Sequence, residues 1–278
     1  MRFSKMQGLG NDYIYVNCLK ETVTDPSALA KKISDRHFGV GADGLVLICP
    51  DREADFRMRM FNADGSEAEM CGNAARCVGK FIYDRGLSRK TVIRLMTGAG
   101  LKTLNLHIRD GKTESVSVDM GEPELEPERI PVRVPGHRAI GVSIEAEGQS
   151  FQMTCVSMGN PHAVIFVEDA DRFDVHRIGA AIENHPLFPR KTNAEFATVR
   201  DREHIRMRVW ERGAGETLAC GTGACATLAA AVLNGLCERK AVLELNGGPL
   251  KVQWDQDTNR IIQEGPAEFV FDGEFPAL

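Results

Sequence analysis

The chain has 278 residues, enough for two domains of ordinary size. Its net charge of −5 is spread along the sequence, which argues against nucleic acid as a main partner because nucleic-acid-binding proteins carry basic patches. The longest apolar stretch, residues 225–233, is too short to cross a bilayer, and the first residues lack the apolar core of a signal peptide. The composition therefore predicts a cytoplasmic protein with no membrane partner.

The eight cysteines do not have the spacing of a metal site. They include no Cys-x-x-Cys pair, and no two histidines stand at ligand spacing. We therefore expect no metal, and we expect the cysteines of a cytoplasmic chain to be reduced thiols.

The sequence repeats itself at one constant offset of 149 residues. Cys71-Gly72 falls on Cys220-Gly221, and Gly10-Asn11 falls on Gly159-Asn160, without a gap. An offset that holds over so long a stretch indicates duplication into two similar halves. We expect an N-terminal half of residues 1–118, joined by a C-terminal strand at about 266–278, and a second half of residues 119–265.

Both halves show the same predicted order of elements: a strand, a helix, another strand, a glycine-containing loop, a second helix and further strands. Asp25 and Asp174 are good N-caps for the first helix, and Gly86 and Gly235 suit the end of the second. The predicted strands include 13–16, 57–61, 163–167 and 206–210, and the predicted second helices begin at Cys71-Gly72 and Cys220-Gly221.

The second helices differ in their predicted surroundings. Residues 224–233 are apolar on nearly all sides, as is typical of a helix enclosed by other elements. Arg76, Lys80 and Asp84 interrupt the first of these helices, so we expect it to be less completely enclosed. Residues 121–128, rich in Pro and Glu, predict a linker or an extended crossover.

Each of these helices begins at a cysteine. Unpaired backbone N–H groups and a partial positive charge at a helix N-terminus stabilise a thiolate and bind carboxylates, so we expect lowered pKa values for Cys71 and Cys220. A duplicated fold is expected to bring both cysteines to one cleft. There, a thiolate can remove an α-proton while the other thiol protonates the opposite face, and the pair shares one proton.

Five segments resemble the diaminopimelate epimerase family. Residues 61–77 (FNADGSEAEMCGNAARC) and 211–223 (ERGAGETLACGTG) are similar to its two active-site motifs, which are long and specific. Residues 8–13, 37–44 and 159–162 also match, so the resemblance covers essentially the whole chain.

The resemblance implies an α/β protein of the α+β type, with two pseudo-symmetric duplicated domains. Each domain is a curved, mostly antiparallel or mixed sheet around a central helix. It implies an isomerase, usually a homodimer, that interconverts LL- and meso-diaminopimelate for lysine and peptidoglycan synthesis without pyridoxal phosphate or another cofactor.

The resemblance also implies roles for individual residues. Cys71 and Cys220 correspond to the catalytic base and acid, His162 supports them, and Arg212 suits the distal carboxylate of the substrate. The expected substrate-binding residues are Asn11, Asn62, Gly72, Asn73, Asn160, Asn193, Glu211, Arg212, Gly221 and Thr222. One departure is Gly44, where many members carry Gln, so a side-chain contact to the substrate is missing or replaced.

Simpler interpretations stand beside these. Arg212 alone is compatible with a structural ion pair to Glu216, the asparagines with turn caps, and His162 with a turn residue. The Gly-x-Gly-x-x-Gly at 39–44 does not predict a nucleotide site, because a helix precedes it and a strand follows. Three other functions remain open: a proline racemase, a thiol oxidoreductase with a Cys71–Cys220 disulfide, and a non-catalytic amino-acid-binding protein.

Overall fold

The computed structural model describes residues 1–276, so the last two residues of the expected C-terminal strand at about 266–278 lie outside the described residues. The described chain forms mostly strands, with four helices. In chain order the elements are β1 (Arg2–Gly8), β2 (Asn11–Asn17), α1 (Pro26–Ser34), β3 (Gly44–Cys49), β4 (Phe56–Asn62), β5 (Glu67–Ala68), α2 (Gly72–Asp84), β6 (Val92–Thr97), β7 (Gly100–Arg109), β8 (Lys112–Gly121), β9 (Val142–Ala146), β10 (Gln149–Ser157), β11 (Pro161–Phe166), α3 (Val175–Glu183), β12 (Asn193–Val199), β13 (His204–Glu211), β14 (Gly215–Thr217), α4 (Gly221–Leu233), β15 (Lys240–Leu245), β16 (Gly248–Trp254), β17 (Ile261–Gly265) and β18 (Glu268–Glu274).

The chain divides into two compact units. One comprises residues 1–119 and the segment from Glu264 onward, and the other comprises Met120–Gln263. Among the described residues, no helix has the length and apolar character needed to cross a membrane.

The first unit is a mixed sheet that curves around α2. Its strands lie in the order β18-β1-β2-β3-β4-β6-β7-β8, with β2–β3 and β4–β6 parallel and the other pairs antiparallel. Helix α2 packs against the neighbouring strands β1 and β2 near one end of this order and against β7 near the other end, so the sheet must bend around the helix. On the other side, α1 covers the apolar residues of β2 and β3 with Leu29, Ala30 and Ile33.

The second unit repeats this plan. Its strands lie in the order β9-β10-β11-β12-β13-β15-β16, again with two parallel pairs, β11–β12 and β13–β15. The duplication extends to register, because Tyr13 pairs with Gly44 in the first unit and His162 pairs with Asn193 in the second, each 149 residues further on. The predicted α+β class is confirmed.

The residues that begin and end the helices do so as the sequence predicts. Asp25 accepts a hydrogen bond from the N–H of Ala28 and caps α1, and Asp174 caps α3 through the N–H of Arg177. Gly86 and Gly235 take φ values of 71° and 70° just after α2 and α4, in the left-handed region that glycine favours.

The prediction that α2 is less enclosed than α4 is wrong. Arg76 is fully buried, and its Nε donates to the carbonyl oxygen of Pro266 at 3.1 Å. Lys80 and Asp84 form an ion pair at 2.9 Å with both side chains mostly buried. The charges therefore do not mark an exposed face, because each has partners within the first unit.

Candidate active site

Cys71 and two asparagines come together in the first unit. Cys71 is the N-cap of α2, with extended backbone at φ −140° and ψ 124°. Its thiol lies 3.3 Å from Asn11 Oδ1 and donates to it, and Asn73 Nδ2 lies 3.5 Å from the same oxygen. Three of the residues that the sequence singled out are therefore neighbours, because β2 begins beside the N-terminus of α2.

Asp43 holds Asn11 in this position, a role that the sequence analysis did not assign. Its Oδ2 accepts from Asn11 Nδ2 at 2.9 Å and from the Asp12 N–H at 3.1 Å. Burial raises the pKa of the Asp43 carboxyl, against the opposing effect of these hydrogen bonds. The signal was present in the sequence, since Asp43 stands within the matched segment 37–44 directly before a strand.

Asn62 is engaged in a turn. Its Nδ2 donates to Ser66 Oγ at 3.0 Å, and its backbone N–H donates to the Ser66 carbonyl oxygen at 2.9 Å. This agrees with the simpler interpretation of the residue as a turn cap, while its role in substrate binding stays a prediction.

Gly44 lies where a side chain does not fit. A Cβ at this position would lie 2.1 Å from the carbonyl oxygen of Phe61 and 2.9 Å from Cε1 of Tyr13. The glycine therefore allows β3 and β4 to approach closely at the register pair Gly44–Asn62.

Substituting Gly44 with Ala is expected to lower the free energy of unfolding by about 2–3 kcal/mol, because the neighbouring strand must move to remove the overlap. Gly86→Ala is the control. Its φ is positive but its surroundings are open, so a smaller loss of about 1 kcal/mol is expected. Urea unfolding monitored by circular dichroism measures both, and equal losses would contradict the argument from close packing.

Cys220 is the N-cap of α4 in the second unit and is only 5% exposed. Its Sγ accepts from the Gly223 N–H at 3.4 Å and lies 3.4 Å from Thr222 Oγ1. The helix N-terminus thus contacts the sulfur directly, as expected for this motif.

The expected lowering of the Cys220 pKa is wrong. Burial raises the pKa of this thiol well above its usual value, and the negative charges of Glu211 and Glu195 raise it further. The hydrogen bonds from Thr222 and Gly223 act in the opposite direction but are weaker. Cys220 is therefore held as a protonated thiol at neutral pH, because desolvation and two carboxylates outweigh the helix N-terminus.

Glu211 lies beside this thiol. Its carboxylate is hydrogen-bonded to Cys220 and accepts from the hydroxyl of Thr217. Burial raises the pKa of Glu211, and the hydrogen bonds from Thr217 and Cys220 oppose this effect.

His162 and Glu195 form a fully buried pair. Their side chains are both 0% exposed, with Nδ1 of His162 2.6 Å from Oε1 of Glu195. The other ring nitrogen lies 3.0 Å from Asn160 Oδ1. Both ring nitrogens therefore lie within hydrogen-bond distance of a side-chain oxygen, which fixes the orientation of the ring. The interpretation of His162 as a turn residue is wrong, since it lies within β11.

Glu195 was missed by the sequence analysis. It stands in β12 between Ala194 and Phe196, which are fully buried, and a charged residue in such a strand is a signal of a buried pair. Its Oε1 would lie 2.7 Å from a Cβ at position 223, so the glycine there allows the carboxylate to approach the N-terminus of α4.

Asn193 and Arg212 are also brought together. Asn193 Oδ1 accepts from the backbone N–H of Arg212 at 2.9 Å, and its Nδ2 donates to the Pro161 carbonyl oxygen at 2.8 Å. The exposed guanidinium of Arg212 donates to the carbonyl oxygen of Arg190. The alternative of an ion pair between Arg212 and Glu216 is wrong, because Glu216 pairs with Arg208 at 2.7 Å.

Metal-binding side chains do not cluster in the part of the chain that the structure describes. No three His, Cys, Asp or Glu residues among residues 1–276 come together to hold an ion.

Comparison with known proteins covers nearly the whole chain. The family model "Diaminopimelate epimerase" matches residues 3–126 and 154–270. A diaminopimelate epimerase of Acetivibrio thermocellus is 61% identical over 274 residues, covering 99% of this chain and 98% of the relative. The diaminopimelate epimerase of Desulfovibrio desulfuricans is 55% identical over 281 residues, covering 99% and 98%.

Solved structures share the fold at low sequence identity. A phenazine biosynthesis protein of the PhzF family from Bacillus anthracis aligns with a TM-score of 0.73 at 18% identity, covering 99% of both chains. A probable proline racemase from Agrobacterium radiobacter aligns with a TM-score of 0.70 at 18% identity, covering 99% of this chain and 92% of that one. The full-length sequence match then decides between these relatives: this chain belongs to the diaminopimelate epimerase family.

Proposed function

We propose that this chain interconverts LL- and meso-diaminopimelate with Cys71 and Cys220 as its acid–base pair. Diaminopimelate epimerases are isomerases of lysine biosynthesis, and the match to that family extends over nearly the whole chain. The observation that carries the proposal is the duplicated arrangement of a cysteine as N-cap of a buried helix in both units.

The surroundings of Cys220 favour its protonated state. Cys220 is held as the thiol by burial and by Glu211 and Glu195, so it is the proton donor of the resting pair. Cys71 acts as the thiolate and takes the α-proton. Once protonated, the Cys71 thiol donates to Asn11 Oδ1, which is the contact that the structure contains. The α C–H bond breaks as its proton passes to Cys71. A new C–H bond forms on the other face of the carbon with the proton of Cys220.

One turnover leaves the number of protons on the two cysteines unchanged. Cys220 has given its proton to the carbon and Cys71 has taken the former α-proton, and this form of the enzyme catalyses the opposite direction. The thiol pair moves the proton itself, so the proposed reaction requires no cofactor.

The helix N-termini supply the binding groups for the reacting carboxylate. We assign this role to the backbone N–H groups of Gly72, Asn73, Gly221 and Thr222, which belong to the first turns of α2 and α4. These groups also stabilise the negative charge that develops on the carboxylate as the α-proton leaves.

The remaining polar residues bind the rest of the substrate. The exposed guanidinium of Arg212 is suited to the distal carboxylate, which it can bind through two hydrogen bonds. The other residues that we assign to the substrate are Asn11, Asn62, Asn160, Asn193 and Glu211, with His162 supporting the site.

The organisation of the protein is part of the proposal. The two compact units are the two domains of the enzyme, with boundaries near residues 119 and 264. The enzyme is a cytoplasmic homodimer, a state that light scattering coupled to size-exclusion chromatography tests directly.

Incubation with LL-diaminopimelate in D₂O tests the reaction. Proton NMR is expected to show loss of the signal from one α-proton together with formation of the meso isomer. Exchange with proline in place of diaminopimelate would indicate a racemase of another specificity. Binding of diaminopimelate without any exchange would indicate a non-catalytic binding protein, and turnover that consumes an electron donor would indicate an oxidoreductase.

A further inference from the structure

Two cysteines outside the proposed catalytic pair lie side by side in the first unit. Strands β2 and β3 are parallel, with Asn17 paired to Ile48, and the Cys18 N–H donates to the Ile48 carbonyl oxygen at 2.9 Å. This bond continues the parallel register by one step, so Cys18 stands opposite Cys49. Neighbouring strands are about 4.8 Å apart, which lies within the Cα separation that a disulfide spans.

The two thiols contact each other and remain accessible. Their side chains share a hydrogen bond, and both residues are half-buried at the edge of the core that α1 covers. Paired residues of parallel strands point to the same face of a sheet, which agrees with this contact. The pair therefore has both the geometry and the exposure that an oxidation reaction requires.

The charges around the pair distinguish its two sulfurs. The hydrogen bond from Cys18 lowers the pKa of Cys49 to about 7, and the guanidinium groups of Arg59 and Arg57 lower it as well, although burial opposes them. The pKa of Cys18 is raised, chiefly by the same hydrogen bond and by burial, with a further contribution from Glu21. Cys49 is therefore the nucleophile, and Cys18 is the thiol beside it.

The thiols of Cys77, Cys155 and Cys237 are much less reactive. Burial raises the pKa of Cys77 and of Cys237 to about 11, and it raises the pKa of Cys155 further. Attack on an oxidant requires the thiolate, so these three sulfurs should react far more slowly than Cys49 near neutral pH.

We propose that Cys18 and Cys49 form a reversible disulfide when the protein meets a peroxide, at a site separate from the catalytic cysteine of the same unit. The separation follows from the strand itself: Cys71 contacts Asn11 at the start of β2, whereas Cys18 follows its end. Seven residues of strand correspond to about 20 Å.

The proposed step balances with hydrogen peroxide as the oxidant. The Cys49 sulfur attacks one peroxide oxygen, the O–O bond breaks, and hydroxide leaves, which gives a sulfenic acid on Cys49. The Cys18 sulfur then attacks the Cys49 sulfur, the S–O bond breaks, and the proton of Cys18 leaves with the hydroxyl group as water. The two sulfurs lose one electron pair in total, and the peroxide is reduced. A dithiol reductant reverses the reaction by thiol–disulfide exchange.

Peptide mapping of the full chain tests the proposal. The protein is treated with one to ten equivalents of hydrogen peroxide, its remaining thiols are blocked with N-ethylmaleimide, and the digest is analysed by mass spectrometry. We expect a peptide pair linked through Cys18 and Cys49, which disappears after dithiothreitol treatment. The rate of linkage should fall roughly fivefold between pH 7 and pH 6, as the thiolate fraction falls.

Two variants sharpen the test. In Cys18→Ser, oxidised Cys49 lacks its partner, so a dimedone adduct on Cys49 should replace the linked peptide. Cys237→Ser is the control, because it removes a buried thiol elsewhere in the chain and should leave the linkage unchanged. The proposal is overturned if wild-type protein yields no Cys18–Cys49 linkage, or if Cys49 is alkylated no faster than Cys237 at pH 7. Both readouts are independent of epimerase activity.

Discussion

Replacing either Cys71 or Cys220 with alanine is expected to lower kcat/KM for LL-diaminopimelate by about 10²- to 10⁴-fold, the usual contribution of a positioned acid or base. Each variant retains one sulfur, but neither can remove a proton from one face of the carbon and deliver another to the opposite face. Deuterium incorporation coupled to formation of the meso isomer measures the loss.

Cys237→Ala is the control for this comparison. It removes a buried thiol in the segment after α4, distant in sequence from both helix N-termini, and should keep activity within about threefold of the wild type. Circular dichroism should show that all three variants fold. Retention of more than a tenth of wild-type activity by either Cys71→Ala or Cys220→Ala would remove that residue from the proposed acid–base pair.

Replacing Glu195 with glutamine is expected to lower the free energy of unfolding by about 2–3 kcal/mol. The substitution keeps the shape of the side chain but removes the charge that faces His162 at 2.6 Å inside the second unit. It also removes one of the two carboxylates that raise the pKa of Cys220, so this pKa should fall. Alkylation of Cys220 with iodoacetamide, followed by mass spectrometry across a pH series, should therefore begin at lower pH than in the wild type.

Glu216→Gln is the matched control for Glu195→Gln. Glu216 is a largely buried carboxylate that pairs with Arg208 at 2.7 Å, and it is not among the groups that raise the pKa of Cys220. Its loss should affect stability and leave the pH profile of Cys220 alkylation unchanged. If Glu195→Gln also leaves that profile unchanged, then the Glu195 charge does not control the protonation of Cys220.

The architecture was largely predictable because the duplication constrains it. A constant offset in the sequence requires equivalent residues to occupy equivalent places, and the register pairs Tyr13–Gly44 and His162–Asn193 follow that offset. The start of each cysteine helix was predictable from its Cys-Gly pair, and Gly86 and Gly235 marked the helix ends.

The surroundings of charged residues were not predictable in the same way. Arg76 looked like a solvent-exposed residue of α2, but its partner at Pro266 lies 190 residues further along the chain. Glu195 is a single charged residue whose partner His162 lies on the neighbouring strand. Such contacts depend on which strands pair, and no local pattern specifies the distant partner of a buried charge.

The chemistry of Cys220 shows how a correct motif can give the wrong direction of a pKa shift. The helix N-terminus does contact this sulfur, through the Gly223 N–H. Its effect is exceeded by burial and by Glu211, neither of which is evident from the residues next to the cysteine. A motif identifies which groups touch the thiol, whereas the balance of charges requires the packed structure.

The close approach at Gly44 has an evolutionary consequence. The Phe61 carbonyl oxygen already occupies the space of a Cβ, so a residue with a side chain cannot enter position 44 of this backbone without displacing β4. Compensating changes in β4 have to come first, which makes the two strands epistatic. Gly44→Gln in this chain should therefore lower stability unless β4 is changed with it.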